Sequence, residues 1–150
     1  MTALPLDRFA TCSSNPVTLR WSGDGKRAYA SSSTDRGDRV ELLDLRGRRV
    51  IASAYAWQAQ PSPDLTHLAW TPWYATSSTP LYVDGAIVWG TDDPRAATRV
   101  SQLAWRSELE LEFCGTSPNG LDELRARYRV TLGKRAAVAR VGDCAAPTND

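Results

Sequence analysis

The chain has 150 residues, 42% of them hydrophobic and 23% charged, which is the length of one domain and the composition of an ordinary globular protein. No run approaches the roughly 18 consecutive apolar residues of a membrane-spanning helix. A net charge of +1 argues against a strongly basic or acidic surface as the organising feature.

The opening Met1-Thr-Ala-Leu-Pro-Leu-Asp7 lacks the basic and then apolar pattern of an intact secretory signal. A mature exported domain whose leader has been removed would start in the same way. Beyond it, strands are expected near residues 17–21, 27–33, 38–45 and 48–54, then near 66–71, 80–84 and 86–90. The last group is expected near 99–105, 108–114, 124–132 and 135–141. Arg46-Gly47, Asp84-Gly85 and Gly133-Lys134 read as tight hairpin turns. Leu121–Leu124 reads as a single helical turn, and no segment sustains a helical period.

The segments around these strands repeat. Trp21-Ser-Gly-Asp24-Gly25-Lys26, Pro61-Ser62-Pro63-Asp64 and Trp105-Arg-Ser-Glu108 each place an acidic residue in a turn before an apolar strand. Asp24 and Asp64 lie 40 residues apart, and Asp64 and Glu108 lie 44 apart, the length of one four-stranded propeller blade. The expectation is one all-β domain over residues 1–150: a small propeller-like domain of about three antiparallel β-sheet repeats, near 17–60, 61–98 and 99–144. Such repeats would close into a compact monomer, or two chains would complete a larger ring.

Ser62-Pro63-Asp64-x-x-x-Leu68-Ala69-Trp70 resembles the WD40-like repeat of TolB-type propellers, whose signature runs Trp-Ser-Pro-Asp-Gly-Lys-x-Leu-Ala-Phe. Trp21-Ser22-Gly23-Asp24-Gly25-Lys26 matches its first half, with Gly23 in place of the proline. Asp44-Leu45-Arg46-Gly47 is similar to the hairpin that ends such a repeat, whereas the third copy keeps only Trp105 and an acidic residue.

One hairpin is specific enough to predict in register. Glu108, Glu110 and Glu112 alternate with Leu109, Leu111 and Phe113, and Arg125, Arg127 and Arg129 alternate with apolar residues. Pairing Glu112 with Arg125, Glu110 with Arg127 and Glu108 with Arg129 makes one face a charge ladder and gives the other to the core.

Three cysteines, Cys12, Cys114 and Cys144, are too far apart in sequence for a structural zinc site. A Cys12–Cys144 disulfide would tie the two ends of the chain, contributing near ~5 kcal/mol in the chain-entropy model and implying an oxidising compartment. The alternative is three reduced, buried thiols.

No residues are expected to be catalytic. The single histidine, His67, sits in a surface-facing repeat position without a nucleophile elbow. Cys114 aligns with apolar strand positions, and Glu108, Glu110 and Glu112 are absorbed by the arginine ladder. Asp92-Asp93-Pro94 reads as a turn. No phosphate-cradling glycine motif occurs, so no cofactor and no metal are expected. The arginine stripe is too closely balanced by acids for a nucleic-acid footprint.

Three loops remain: Ser31–Asp38, Trp73–Pro80 and Cys114–Gly120. Their Ser, Tyr, Trp and Asn content is that of protein-recognition surfaces. The expected partner-binding residues are Ser31, Ser32, Ser33, Asp35, Arg36, Trp73, Tyr74, Ser77, Ser78, Ser117 and Asn119. In size and repeat style the chain resembles immunity proteins that inhibit type VI secreted peptidoglycan amidases. That resemblance implies a periplasmic inhibitor inserting a serine-bearing loop, Ser31–Ser33 here, into the cleft of a hydrolase. The alternative is a non-catalytic scaffold or adaptor of the cell envelope.

Overall fold

The computed structural model describes residues 17–73, 78–91, 93–119 and 122–144, without the side chains of 94, 117–119 and 122–124. The chain is all-β. Its strands are β1 (Thr18–Trp21), β2 (Arg27–Thr34), β3 (Gly37–Asp44), β4 (Arg49–Pro61), β5 (Leu68–Pro72), β6 (Leu81–Val83) and β7 (Ala86–Trp89). After a 3₁₀ turn at Pro94–Ala96 come β8 (Arg99–Trp105), β9 (Glu110–Asn119), β10 (Asp122–Thr131) and β11 (Ala137–Gly142). Among the described residues no helix is long and apolar enough to cross a membrane.

All pairings are antiparallel, in one sheet ordered β1 to β7 and a second ordered β11-β10-β9-β8. The expected blade-like groups of strands are therefore present, but hydrogen bonding joins them into two sheets. The cause is β4, longer than the sequence suggests. Its residues 49–56 pair with β3, and after a bulge between Ala56 and Gln58 its second half pairs with β5. The first sheet is thus two four-stranded meanders sharing one bent strand. Neither sheet closes on itself.

Strand β5, at the centre of the middle meander, is buried on both faces. Leu68 packs against Val40, Leu42, Ala56 and Leu65, toward the first meander. Ala69, Leu81 and Val83 pack against Val100, Leu111, Phe113 and Val130 of the second sheet. Adjacent residues of β5 thus serve opposite cores, as strand alternation requires.

The repeat is visible in two turns. Ser22 Oγ donates to Asp24 Oδ1 at 2.7 Å, and Ser62 Oγ donates to Asp64 Oδ1 at 2.7 Å. Each serine hydroxyl accepts the amide five residues on, Arg27 or His67, at 2.9 Å. Gly25 (φ +69°) and Leu65 (φ +56°) take the same left-handed position, so the second copy holds a leucine where glycine is favoured. Leu65 is fully buried, and its contacts in the core offset that strain. The third turn differs: Arg106 and Ser107 amides both bond Glu110 O. At Asp64, burial works against ionisation, but bonds from Thr66 and Ser62 outweigh it and hold the carboxyl below its usual range. Ser62 is fully buried and serves Asp64, Thr66 and His67 together. Ser62→Ala is expected to cost about 2–3 kcal/mol, because it takes away the acceptor of the His67 amide and the hydroxyl donor to Asp64, leaving Thr66 N with Asp64 alone; urea titration reads it, and a loss under ~0.5 kcal/mol would contradict the network.

Several local expectations are corrected. Of the three hairpin turns expected from sequence, only Asp84-Gly85 is a two-residue turn, with both residues at positive φ. Arg46-Gly47 lies in a four-residue loop, 45–48, and Gly133-Lys134 in the segment 132–136. Asp122–Leu124 begins β10 rather than forming a helical turn. In the β9–β10 hairpin Glu112 faces Arg129 and Glu110 faces Thr131, four residues from the predicted register; Arg127 faces Cys114 and Arg125 faces Thr116. The chain stays in β9 through residue 119, past Gly115 and Pro118, so the turn comes later than expected. The faces survive because the shift is even. Glu112 is held below the normal carboxylate range first by the Arg129 guanidinium, bonded at 2.7 Å, and also by Arg106 at 2.9 Å.

The disulfide joins Cys114 to Cys144, not Cys12 to Cys144. Cys114, expected to be a free buried thiol, faces Arg127 in mid-sheet, where the chain after β11 returns across β10 to reach it. Cys12 lies outside the described residues.

Candidate functional site

Strand β4 carries alanines on one face and large residues on the other. Ala52, Ala54 and Ala56 turn toward the core shared with Val40 and Leu42. Alternation then sends Ser53, Tyr55 and Trp57 outward. Tyr55 is 45% exposed and Trp57 67%, the most exposed large apolar side chain described.

Trp73 joins them. Its amide donates to Tyr55 O at 3.3 Å, and its ring lies against the β2–β3 turn. A Cβ on Gly37 would overlap that ring and approach Ala56 O, and Gly37 has φ +84°, so glycine here both makes the turn and admits the tryptophan. Arg36 of the same turn, Tyr55, Trp70 and Trp73 line a cleft of about 400 Å³. Trp70 is fixed beneath by Tyr82, stacked at 4.3 Å.

The surface continues over the second sheet. Trp57 and Trp73 share a smaller cleft with Pro72, Thr79 and Arg99. Beyond Trp57 a polar cleft of about 430 Å³ reaches Arg99, Ser101, Thr116 and Arg125. Its floor is braced: Gln58 Nε2 donates to Val100 O at 3.2 Å, and Thr79 Oγ1 accepts from Val100 N at 2.9 Å. The arrangement suits binding: apolar aromatic area at one end, guanidinium and hydroxyl donors at the other.

Of the residues expected from sequence, Arg36 and Trp73 come together here. The serines do not. Ser31, Ser32 and Ser33 lie in β2, because the turn is only Asp35-Arg36. Ser32 is buried, and Ser33 bonds Asp38 at 2.9 Å. Asp35 is exposed at the turn tip. Ser78 is also buried, donating to Asp93 O at 2.7 Å. Ser117 and Asn119 are strand residues of β9, so the third expected loop is largely strand. Tyr74 and Ser77 lie outside the described residues. An inserting serine loop at 31–33 is therefore corrected.

Sequence reasoning missed Tyr55, Trp57, Arg99, Thr116 and Arg125. A signal existed for the first two: Ala-Ser-Ala-Tyr-Ala-Trp, residues 52–57, alternates small and large. When the small residues face the core, the aromatics must face outward.

Two residues weighed for catalysis from sequence, His67 and Cys114, are engaged in other contacts. His67 Nδ1 lies 2.6 Å from Asp84 Oδ2, and Asp84 Oδ1 accepts the Leu68 amide. The ring stacks on Trp105 at 6.2 Å, and among the described residues it hydrogen-bonds only Asp84. A Cys114–His67 nucleophile pair is ruled out because Cys114 is oxidised. Among the described residues no three His, Cys, Asp or Glu side chains gather as a metal site.

No family model matches the sequence, and no curated protein matches it. Among solved structures the chain is similar to hydrazine synthase of Kuenenia stuttgartiensis, at 14% identity and a TM-score of 0.49, over 83% of this chain and 41% of that one. The chain thus spans less than half the length of that neighbour, and likeness at this level transfers neither activity nor ligand.

Proposed function

We propose that this domain binds a protein partner without catalysing a reaction, and that Trp57, Trp73 and Tyr55 are its anchors. The observation that carries the reading is Trp57, a tryptophan two-thirds exposed between two clefts on a braced strand. Exposed aromatics flanked by arginine are the side chains that dominate binding energy at protein interfaces. The sequence resemblance to immunity proteins supplies the finer reading: an inhibitor of a secreted cell-wall hydrolase, acting in the periplasm. The Cys114–Cys144 bridge supports an oxidising compartment. In this reading the aromatic surface, not a serine loop, covers the enzyme's cleft.

The test is capture by the purified, oxidised protein from periplasmic and secreted fractions of the cells that encode it. The expected result is one stoichiometric hydrolase, inactive while bound, whose affinity falls about 30-fold or more with Trp57→Ala. Capture indifferent to Trp57→Ala and Trp73→Ala would remove the anchors, and a bound hydrolase that stays active would remove inhibition.

A scaffold reading is favoured by one observation: edge strand β1 is exposed along its length, with Trp21 51% exposed. Reversible self-association lost on Trp21→Lys, read by light scattering, would support it.

A further inference from the structure

We infer that the cleft beside Trp57 is an anion-reading groove that takes an extended, carboxylate-bearing segment of a protein partner between Arg99 and Arg125. The choice of a protein ligand rests on the protein-binding reading above; the anion preference does not.

Register carries the argument. Arg99 of β8 and Arg125 of β10 both pair with Thr116 of β9. The three therefore form one row across the sheet, on the face opposite Val100, Gly115 and Ala126, which are buried. With adjacent strands ~4.8 Å apart, the two arginine Cα atoms stand about 10 Å apart with a hydroxyl between them. Both arginines are exposed. Among the described residues neither has a carboxylate partner: Arg106 and Arg129 occupy Glu112, Arg95 is on Asp93, and Arg140 is on Asp143. Glu123 stands on the same face by its pairing with Pro118, and its side chain is outside the described residues.

Two guanidiniums in one row, without a carboxylate partner among the described residues and walled by an exposed indole, match a particular ligand. A guanidinium fork binds a carboxylate through two charge-assisted hydrogen bonds. On an extended peptide, carboxylates two residues apart point the same way and lie roughly 7 Å apart, within reach of both forks. The intervening side chain points away, and a neighbouring apolar residue can lie on Trp57. Nucleic acid would need a longer run of basic contacts than this row offers.

The probe is a fluorescein-labelled peptide with glutamates at alternate positions, compared with the same peptide carrying glutamines. Fluorescence anisotropy is measured on the oxidised full chain at 50 and 200 mM NaCl. The glutamate peptide is expected to bind at least tenfold tighter, with the preference shrinking at higher salt. Arg99→Gln or Arg125→Gln should each lower its affinity about tenfold, and the double variant should abolish the preference. A thermal melt matching the parent shows that the variants remain folded. Equal binding of the two peptides, no binding, indifference to both arginine variants, or tighter binding of an oligothymidylate of equal charge would each overturn the inference. If the peptide result holds but no partner is captured, the groove stands and the inhibitor reading falls. If a partner is captured through Trp57 with unchanged affinity in the double arginine variant, the reading stands and the groove falls.

Discussion

Reducing the Cys114–Cys144 bridge is expected to lower the unfolding free energy by about 3–4 kcal/mol and the melting temperature by roughly 10 °C. The bridge closes a loop over a sequence separation of 30 residues, so the chain-entropy gain is smaller than that of an end-to-end Cys12–Cys144 closure. Its mechanical effect is local. Strand β11 is an edge strand whose backbone pairs only with β10 among the described residues, and its side chains are mostly exposed, Val138 alone packing against the core. Little buried apolar area therefore retains it. The disulfide ties the end of β11 over β10 to the sheet's interior strand. Melts with and without reductant, and of the Cys114→Ala, Cys144→Ala double variant, should agree. A shift below ~2 °C in both would show that β11 is held without the bridge.

Phe113→Ala is expected to cost about 3–5 kcal/mol, the largest loss from any single side chain in this fold. Phe113 is 1% exposed and sits in the core between the two sheets. Its ring meets Trp89 edge-on at 5.2 Å and stacks on Tyr128 at 5.5 Å, while Trp89 and Tyr128 are themselves 5.4 Å apart. These rings link β7 to β9 and β10 and so join the two sheets beside the aliphatic core. Gly115 belongs to the same arrangement: an added Cβ would stand 2.7 Å from Trp89 and 3.0 Å from Tyr128. Urea denaturation and near-ultraviolet circular dichroism read the loss. Phe113→Leu, which keeps most of the apolar volume, should lose less than half as much. Equal costs for the two would mean that the ring contacts contribute nothing specific.

The sequence made the strands legible because turn chemistry is local. Ser22-Gly-Asp24 and Ser62-Pro-Asp64 announce their own hydrogen bonds, and Asp84-Gly85 announces its backbone conformation. Long-range register was harder to read. Gly115 and Pro118 look like loop residues in β9. Gly115 is in the strand because Trp89 and Tyr128 occupy the space above it. Pro118 is tolerated because β8 pairs only as far as Thr116, which leaves β9 a single neighbour there. The site was half legible for a related reason. Arg36 and Trp73 could be found because they flank turn signals. Tyr55 and Trp57 were hidden once β4 was expected to stop near residue 54. Serine carries no polarity contrast between strand faces, so Ser31–Ser33 read as loop although Ser32 points inward. Arg99 and Arg125 meet only through Thr116, a pairing that depends on the register.

Strand β4 also has a kinetic consequence. Ala56 pairs with Asp38 on one side and Pro72 on the other, so one stretch of backbone closes both meanders. Opening either one pulls on hydrogen bonds of the other, and amide protons throughout β2 to β6 should exchange with solvent as a single cooperative unit. The second sheet touches the first through packed side chains and a few bonds such as Gln58 to Val100, and should exchange as a separate unit. Trp57 stands at the bend where the first unit is stitched together and leans toward the second. A partner gripping that indole would slow exchange in both, and so turn two foldons into one.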